Sequence, residues 1–274
     1  MDTPDHQENR DFWNAVVPLH TSSDFYNLEA FKAGATSLLP IELEELGNVD
    51  GKTLLHLQCH FGMDTLSWAR SGASVTGVDF SDQAIDRARS LAKEVGLDAQ
   101  FICSDIYDLP NKLTGQFEIV FTSYGVLCWL PDINRWATVV AHFLQPGGTF
   151  YIVDGHPMTR VFSSDQRAKS VTDLKVSTSY FTQEPAISEV DGSYADSAEK
   201  IPPKKLLTWN HSLGDILSAL IQAGLTIEFL HEFPVMHWAP FPFLKQGEDH
   251  LWHLPQGDPQ LPLLFSLRAT KRPV

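Results

Sequence analysis

Over the thirty residues Thr53–Asp82, TLLHLQCHFGMDTLSWARSGASVTGVDFSD, apolar and polar positions change period twice. A short apolar run of Leu54, Leu55 and Leu57 leads into a turn containing Gly62. Leu66, Trp68 and Ala69 then follow at helical spacing, and after Gly72 a second run, Val75, Thr76 and Val78, ends on Asp79. The pattern predicts strand, tight turn, helix and strand, with an acid at the tip. In such a βαβ unit the first turn presents backbone N–H groups at a helix N-terminus. An acid closing the second strand can take two hydrogen bonds from a ribose diol. The stretch therefore implies a nucleoside-bearing cofactor.

The same reading extends in both directions. Ahead of the unit, Leu28, Phe31 and Ala35 recur at helical spacing, and LLPIELEELG places Pro40 near a helix start and Gly47 at its stop. Residues 1–47 are expected to form two or three helices that cover one side of the sheet. The alternative is a lid in which Trp13 or Tyr26 closes over a ligand. After Asp79, Ser81 or Asp82 caps a helix with Ala84, Ile85, Ala88, Leu91 and Ala92 on one face and Gly96 as its stop. Ala99–Cys103 is a third strand. Phe117–Ser123 is a fourth, nearly all apolar, as in a parallel strand buried on both faces. Pro131 and Asp132 start a helix carrying Ile133, Trp136, Val139, Val140 and Phe143, and Thr149–Asp154 follows as a fifth strand.

Strands and helices alternate with short links up to this point, which predicts a doubly wound α/β sheet. The regularity then breaks in an insertion, residues 155–211, with alternating segments at Lys175–Phe181 and Lys204–Trp209. A helix capped by Ser212, a sixth strand in TIEFLHEF and a last strand in LPLLFSLRAT complete the chain, with an aromatic and Pro-rich connection, 233–261, between those two strands. Open parallel sheets bind ligands outside the carboxyl ends of their strands. If the last strand runs antiparallel beside the sixth, both long additions crowd that edge, and loops of this length are usually functional. The expected architecture is a mostly parallel seven-stranded sheet with an antiparallel last strand. A helical cover (1–47) precedes a main domain (48–274), and the 155–211 insertion serves as a lid.

Charge narrows the partners. The net charge of -14, with no basic cluster or stripe, repels phosphate backbones and anionic headgroups, so neither nucleic acid nor a membrane surface is an expected partner. The N-terminus is acidic and polar, and no apolar run approaches roughly 18 residues, so a cytoplasmic protein is expected. Cys59, Cys103 and Cys128 are odd in number and lack paired spacing; buried reduced thiols are expected rather than disulfides or a zinc site, and no metal-ligand spacing is visible.

Taken in order, LLHLQCHFGMDTLSWA, VTGVDFS, FICSDIYDLP, FEIVFTSYGVLCWL and LQPGGTFYIVD resemble the successive motifs of the Rossmann-like S-adenosylmethionine-dependent methyltransferases. The resemblance covers roughly Thr53–Asp154 and implies a role for each matching position. Gly62 corresponds to the last glycine of the loop beside the methionine part of the cofactor. Asp79 corresponds to the acid on the ribose hydroxyls, with Phe80 beside the adenine. Asp105 corresponds to the acid facing the adenine amino group, with Ile106 lying on the ring. Ser123 falls where the chain approaches the cofactor's amino group and sulfonium. The chain departs from the family at His56, usually an acid, and at Gln58 and His60, usually glycines. Gln58 and His60 are polar and are expected to line the site; His56 reads equally as a satisfied core histidine or as a residue near the cofactor.

The function implied is methyl transfer to a small organic molecule on O, N or C, by a monomer or homodimer. The sulfonium supplies its own leaving group, so positioning matters more than acid–base machinery. Where the acceptor carries a proton, a base has a part to play. His156 and His237 are the leading candidates, with Tyr124 and His211 behind them. Trp129, Tyr180, Tyr194, Trp209 and Trp238 are expected at the same edge, some packing the insertion and others boxing an acceptor. Two alternatives remain: a cofactor-binding regulatory protein without methyl transfer, and a nicotinamide-dependent oxidoreductase. The second is disfavoured because QCHFGM lacks the glycine that lets a pyrophosphate approach.

Overall fold

The protein was analysed as a computed structural model, which describes residues 4–163, 165–182, 184–196 and 198–272. Positions 1–3 of the expected helical cover and 164, 183 and 197 of the expected lid lie outside the described residues, as do 273 and 274.

The chain runs α1 (Pro4–Ser22), α2 (Leu28–Lys32), α3 (Pro40–Leu46), β1 (Thr53–Leu57), α4 (Met63–Arg70), β2 (Ser74–Asp79), α5 (Asp82–Val95), β3 (Gln100–Cys103), β4 (Phe117–Ser123), α6 (Ile133–Phe143) and β5 (Leu144–Gly155). The later elements are β6 (Ala186–Val190), β7 (Lys204–Thr208), α7 (Leu213–Gln222), β8 (Leu225–Phe233), the short strands β9 (Val235–Met236), β10 (Lys245–Gln246) and β11 (Trp252–His253), and β12 (Leu264–Lys271). One seven-stranded sheet has the order β3-β2-β1-β4-β5-β12-β8. β1 to β5 pair in parallel, and β12 lies antiparallel between β5 and β8.

The helices form for local reasons. Ser81 Oγ accepts from Ala84 N at 3.0 Å to start α5, and Gly96, in the left-handed conformation at φ 67°, ends it. Asp132 Oδ1 accepts from Asn134 N and Arg135 N, each at 3.0 Å, to start α6. The Ser212–Asp215 capping box starts α7. On one face of the sheet, α6 and α7 bury Trp136, Val140, Phe143, Ile216 and Leu220 against Leu55, Val120, Phe150, Ile152 and Phe265. On the other, Trp68 of α4 and Leu46 of α3 pack on Leu54, Phe121 and Val153, while α5 packs around Phe101 and Phe61. Gly77 of β2 leaves room for this second layer, because a Cβ there would lie 2.7 Å from the Phe101 ring and 2.9 Å from Cys59 Sγ.

Two parts of the sequence reading are revised. Lys175–Phe181 forms no extended strand: it meets the chain at Val161–Ser163 through one isolated bridge, Phe162 to Val176, with Ser163 N donating to Lys175 O and Ser177 N to Val161 O, each at 2.9 Å, and the pairing goes no further among the described residues. The insertion's hairpin is β6–β7, and the 233–261 connection holds a small three-stranded sheet, β10-β11-β9, over a cluster of Met236, Phe241, Phe243 and Leu254. α1 is fixed to two distant segments. The buried Asn9 amide donates to Leu207 O at 2.8 Å and accepts from Leu207 N at 3.0 Å, completing the free edge of β7. Asn14 donates to Asp82 Oδ1 at 2.7 Å and accepts from Ser81 Oγ at 2.6 Å at the start of α5.

Trp136 has no exposed surface and meets Phe150 edge-on at 5.5 Å. Trp136→Ala should lower unfolding free energy by about 3–5 kcal/mol, the usual cost of emptying an aromatic site in a core. Urea denaturation monitored by far-UV circular dichroism checks this; a loss below about 1 kcal/mol would mean α6 is not anchored through this residue.

Candidate functional site

The carboxyl ends of β1, β2, β3 and β4 meet at one edge, and the loop leaving β1 shapes it. Gln58, His60 and Gly62 all have positive φ, at 59°, 49° and 84°. For a residue with a Cβ this conformation costs about 1–2 kcal/mol. The backbone shape expected of glycines is thus retained at two positions that carry side chains. Its hydrogen bonds account for this: Cys59 N donates to Val78 O at 2.9 Å, Gly62 N to Cys59 O at 2.9 Å, and His60 N to Asp79 Oδ2 at 2.8 Å. Gly62 is also sterically required, since a Cβ there would lie 2.7 Å from the Phe101 ring. Gln58 Nε2 donates to Val126 O at 3.1 Å, which fixes the amide's orientation and leaves its Oε1 buried without a partner.

Asp79, only 8% exposed, accepts from His60 N through Oδ2 and from Ser81 N through Oδ1 at 2.9 Å. Burial pushes its carboxyl up to about 6, against those backbone donors. Asp105 follows β3 and its Oδ1 accepts from Tyr107 N at 2.7 Å. Gly62, Asp79, Phe80, Asp105, Ile106 and Ser123, the six residues matched to the cofactor, line one cavity of about 1070 Å³ together with Gln58 and His60, the two departures expected beside them.

A chain of hydrogen-bonded polar residues, Ser37, Asp64, Ser123 and His56, forms part of that cavity's wall. His56 Nδ1 lies 2.8 Å from Thr65 Oγ1 and its Nε2 lies 3.2 Å from Ser123 Oγ, so both nitrogens are engaged, and burial lowers its pKa to about 3. Ser123 Oγ also donates to Asp64 Oδ2 at 3.0 Å, and Ser37 Oγ donates to Asp64 Oδ1 at 2.6 Å. Burial raises the Asp64 pKa.

Aromatic and imidazole rings form the roof. Trp13 of α1 meets His60 edge-on at 5.2 Å and Trp129 at 5.4 Å, and Tyr26 packs on Phe61 at 4.8 Å. His20 Nδ1 lies 2.8 Å from His60 Nε2, while His20 Nε2 lies 2.6 Å from Ser193 Oγ of the insertion. Burial lowers the pKa of both histidines, that of His20 to about 4, so the pair is neutral at physiological pH. The Tyr26 and Tyr194 hydroxyls hydrogen-bond each other, joining the helical cover to the insertion.

A second cavity, of about 940 Å³, adjoins the first. Six residues line both: Trp13, Tyr124, Gly125, Trp129, Tyr194 and His237. Tyr124 and His237 therefore stand at the junction, their rings 4.4 Å apart. Burial lowers the His237 pKa to about 3, and its Nδ1 has no partner. Tyr124 OH donates to Glu42 Oε2 at 2.6 Å, and burial together with Glu42 raises the tyrosine's pKa. His211 lines the second cavity away from the junction, with Nε2 2.7 Å from Leu130 O. His156 lines neither cavity. Its Nδ1 accepts from Met158 N at 3.0 Å, capping the turn Pro157–Val161, and its Nε2 lies 2.9 Å from Glu232 Oε1.

Three acids of the site escaped the sequence reading. Glu42 looked like an ordinary helical acid, Asp64 like a first-turn helix acid and Asp154 like a strand end. Asp154 accepts from the backbone N–H groups of Gly125, Val126, Leu127 and Gly155 and so holds the junction loop. Its one sequence signal was its place at the carboxyl tip of a central strand. No group of three or more potential metal-ligating side chains occurs among the described residues, and no helix there is long and apolar enough to cross a membrane.

Residues 54–148, from β1 into β5, match the protein family described as a methyltransferase domain. A ubiquinone biosynthesis O-methyltransferase of Bordetella avium is 28% identical over 130 residues, covering 45% of this chain and 54% of the relative. Another, from Coxiella burnetii, is 32% identical over 109 residues, covering 40% and 46%. The chain thus spans about half the length of these curated relatives. A solved structure of an S-adenosylmethionine-dependent methyltransferase from Mesorhizobium loti aligns at a TM-score of 0.56 and 19% identity, covering 88% of this chain and all of that one. The sheet order and the antiparallel β12 are those of the seven-stranded methyltransferase fold.

Glu42 has no exposed surface, and burial raises its carboxyl to about 8. The folded state therefore holds a proton that the unfolded chain releases near pH 4.5, and stability falls as pH rises from there through about 8. Glu42→Gln keeps an acceptor for Leu39 N but cannot titrate. In urea unfolding at pH 5 and pH 8.5, stability should fall less with pH for the variant than for the wild type. Parallel pH dependences would show that Glu42 does not carry the proton.

Proposed function

We propose that this chain, a member of the Rossmann-like S-adenosylmethionine-dependent methyltransferases, is an enzyme that transfers a methyl group from that cofactor to a small organic molecule. The observation carrying the reading is the Asp79 carboxylate at the tip of β2. A carboxylate offers about four lone-pair sites; His60 N and Ser81 N occupy one on each oxygen, which leaves acceptor capacity for a ribose diol in the same cavity. Other features fit the cofactor independently. The cavity, about 1070 Å³, is slightly larger than the roughly 300–1,000 Å³ typical of small-molecule sites, and Phe80 and Ile106 add apolar surface to its wall.

In this reading Asp79 holds the ribose, Asp105 faces the adenine amino group, and Phe80 and Ile106 lie against the ring. Gln58, His60, Gly62 and Ser123 surround the methionine part. When bound, the cofactor supplies a methyl carbon on a positively charged sulfur, which an acceptor lone pair displaces in line as the C–S bond breaks toward sulfur. The chain supplies position and dryness. The roof of Trp13, His20, Tyr26 and Tyr194 excludes water, and the junction at Tyr124, Trp129 and His237 aligns the acceptor. With a pKa near 3, His237 is unprotonated at neutral pH. It therefore suits accepting a hydrogen bond from the acceptor better than carrying a full positive charge. His156 is proposed as a support for the β5 loop, since its nitrogens are turned to Met158 N and Glu232. The relatives are named as O-methyltransferases, which favours an oxygen acceptor. A cytoplasmic monomer or homodimer is part of the proposal, supported by the net charge of -14 and the free Cys59, Cys103 and Cys128.

Isothermal titration with S-adenosylhomocysteine tests the cofactor, and methyl transfer to a panel of phenols, amines and activated carbons tests the reaction. Tight binding with no transfer would leave a regulatory protein; binding of a nicotinamide dinucleotide in its place would leave an oxidoreductase. Asp79→Ala should weaken S-adenosylhomocysteine binding by about 1–3 kcal/mol, the scale of a lost charged hydrogen-bond acceptor. Unchanged affinity would remove Asp79 from the site. His237→Ala should keep cofactor affinity within about twofold while lowering turnover at least about tenfold, as a group that orients only the acceptor would; equal turnover rejects that role.

A further inference from the structure

Acids line the cofactor cavity, and among the described residues no lysine or arginine does. The acids are Asp24, Asp64, Asp79, Asp105, Glu248 and Asp249. Asp24, Glu248 and Asp249 are exposed to solvent. Asp79 is assigned to the ribose and Asp105 to the adenine, which leaves Asp64 as an acid of the inner wall with no part of the cofactor to hold.

Asp64 stands in the first turn of α4 and is only partly buried where it lines the cavity. Its partners are hydroxyls: Ser37 Oγ donates to Oδ1 at 2.6 Å and Ser123 Oγ to Oδ2 at 3.0 Å. Each carboxylate oxygen keeps a lone pair for a further donor. Ser123 gives its one proton to Asp64, so toward His56 Nε2, 3.2 Å away, it accepts. His56 then carries its proton on Nε2 and takes a hydrogen bond from Thr65 Oγ1 at Nδ1, 2.8 Å away. Thr65, His56 and Ser123 thus form a chain of donors that all run toward one acid, which favours its charged form. No cation comes with them, because His56 stands where the resemblance implies an acid and burial keeps its ring neutral. Among the described residues no lysine or arginine pairs with Asp64.

The strand order sets what this carboxylate meets. From β3 through β2 to β1 and β4, the edge presents Asp105, then Asp79, then Asp64 bonded to Ser123. A nucleoside with its adenine at β3 and its ribose at β2 carries its amino-acid tail toward β1 and β4. We propose that Asp64 binds the α-ammonium group of the cofactor's methionine part, with Ser37 and Ser123 holding the carboxylate in position. This rests on the S-adenosylmethionine reading and deepens it. An ammonium suits the place better than the sulfonium does, since it brings three N–H donors for the free lone pairs and the sulfonium brings none. A carboxylate held in a cavity wall without a counter-charge is costly, and the arriving cation offsets that cost.

Isothermal titration of the full chain with three nucleosides tests this. They are S-adenosylhomocysteine, its analogue with hydrogen in place of the amino group, and 5′-methylthioadenosine, which lacks both charged groups of the tail. The wild type should bind S-adenosylhomocysteine at least about tenfold more tightly than the deaminated analogue. Asp64→Asn and Asp64→Ser should cut that preference to within about threefold. 5′-Methylthioadenosine should bind the wild type and both variants alike, which shows that the variants are folded and the adenosine end is intact. The proposal is overturned if the wild type shows no preference for the amino group, or if the variants keep the preference. It is also overturned if both variants lose 5′-methylthioadenosine, since Asp64 would then serve the fold. Binding of 5′-methylthioadenosine without a preference for the amino group removes this inference alone; a wild type that binds none of the three removes the cofactor reading with it.

Discussion

Everything at the carboxyl edge hangs on the grip of Asp79 on two backbone N–H groups, His60 N from the β1 loop and Ser81 N at the start of α5. The carboxylate adds a side-chain tie to elements already brought together by the β1–β2 pairing, the Cys59 N–Val78 O bond and the short step from Asp79 to Ser81. Through it the loop keeps a left-handed backbone at Gln58 and His60 despite their Cβ atoms. The unfavourable conformation is offset by bonds made in a dry site, where each is worth more than in water. A binding residue here is thus also a structural one.

A second acid works in the same way across the edge. Asp154 collects the N–H groups following β4 and fixes the junction loop, so that Tyr124 and Trp129 are presented to both cavities. Glu42 then holds Tyr124 from behind through a protonated or shared hydrogen bond. Buried acids of this kind contribute orientation more than net stability, because desolvation consumes much of what their contacts return. They make the edge rigid, while the roof above, drawn from α1, the insertion and the last connection, holds together through ring packing and a few hydroxyl and imidazole contacts.

The sheet was legible in the sequence because its inner strands β1, β2, β4 and β5 are buried on both faces over most of their length and read as apolar runs, and because Ser81, Asp132 and Ser212 announce their helices as caps. The two-residue strands β9, β10 and β11 are too short to carry any period. Lys175–Phe181 alternated convincingly, yet alternation specifies a strand only as far as a neighbour runs alongside to pair with it. Of the site, Gly62, Asp79 and Asp105 were visible because each sits at a fixed offset from a strand end. Glu42, Asp64 and Asp154 were not, since an acid in a first helical turn or at a strand tip has an adequate local explanation. His156 shows the same ambiguity from the other side: its position after β5 suggested chemistry, and its ring is spent on Met158 N and Glu232.

The amide of Asn9 places a side-chain donor and acceptor where a neighbouring strand would offer its peptide group to Leu207. A hairpin with a bare flank is a template on which another molecule can extend a ribbon, and that hazard grows with the flank's length and flatness. By filling the rung at Leu207 from a helix, the chain denies the template its register at the cost of one residue, and no neighbouring strand has to be supplied. The first helix thereby acts as a guard against self-association as well as part of the wall around the ligands.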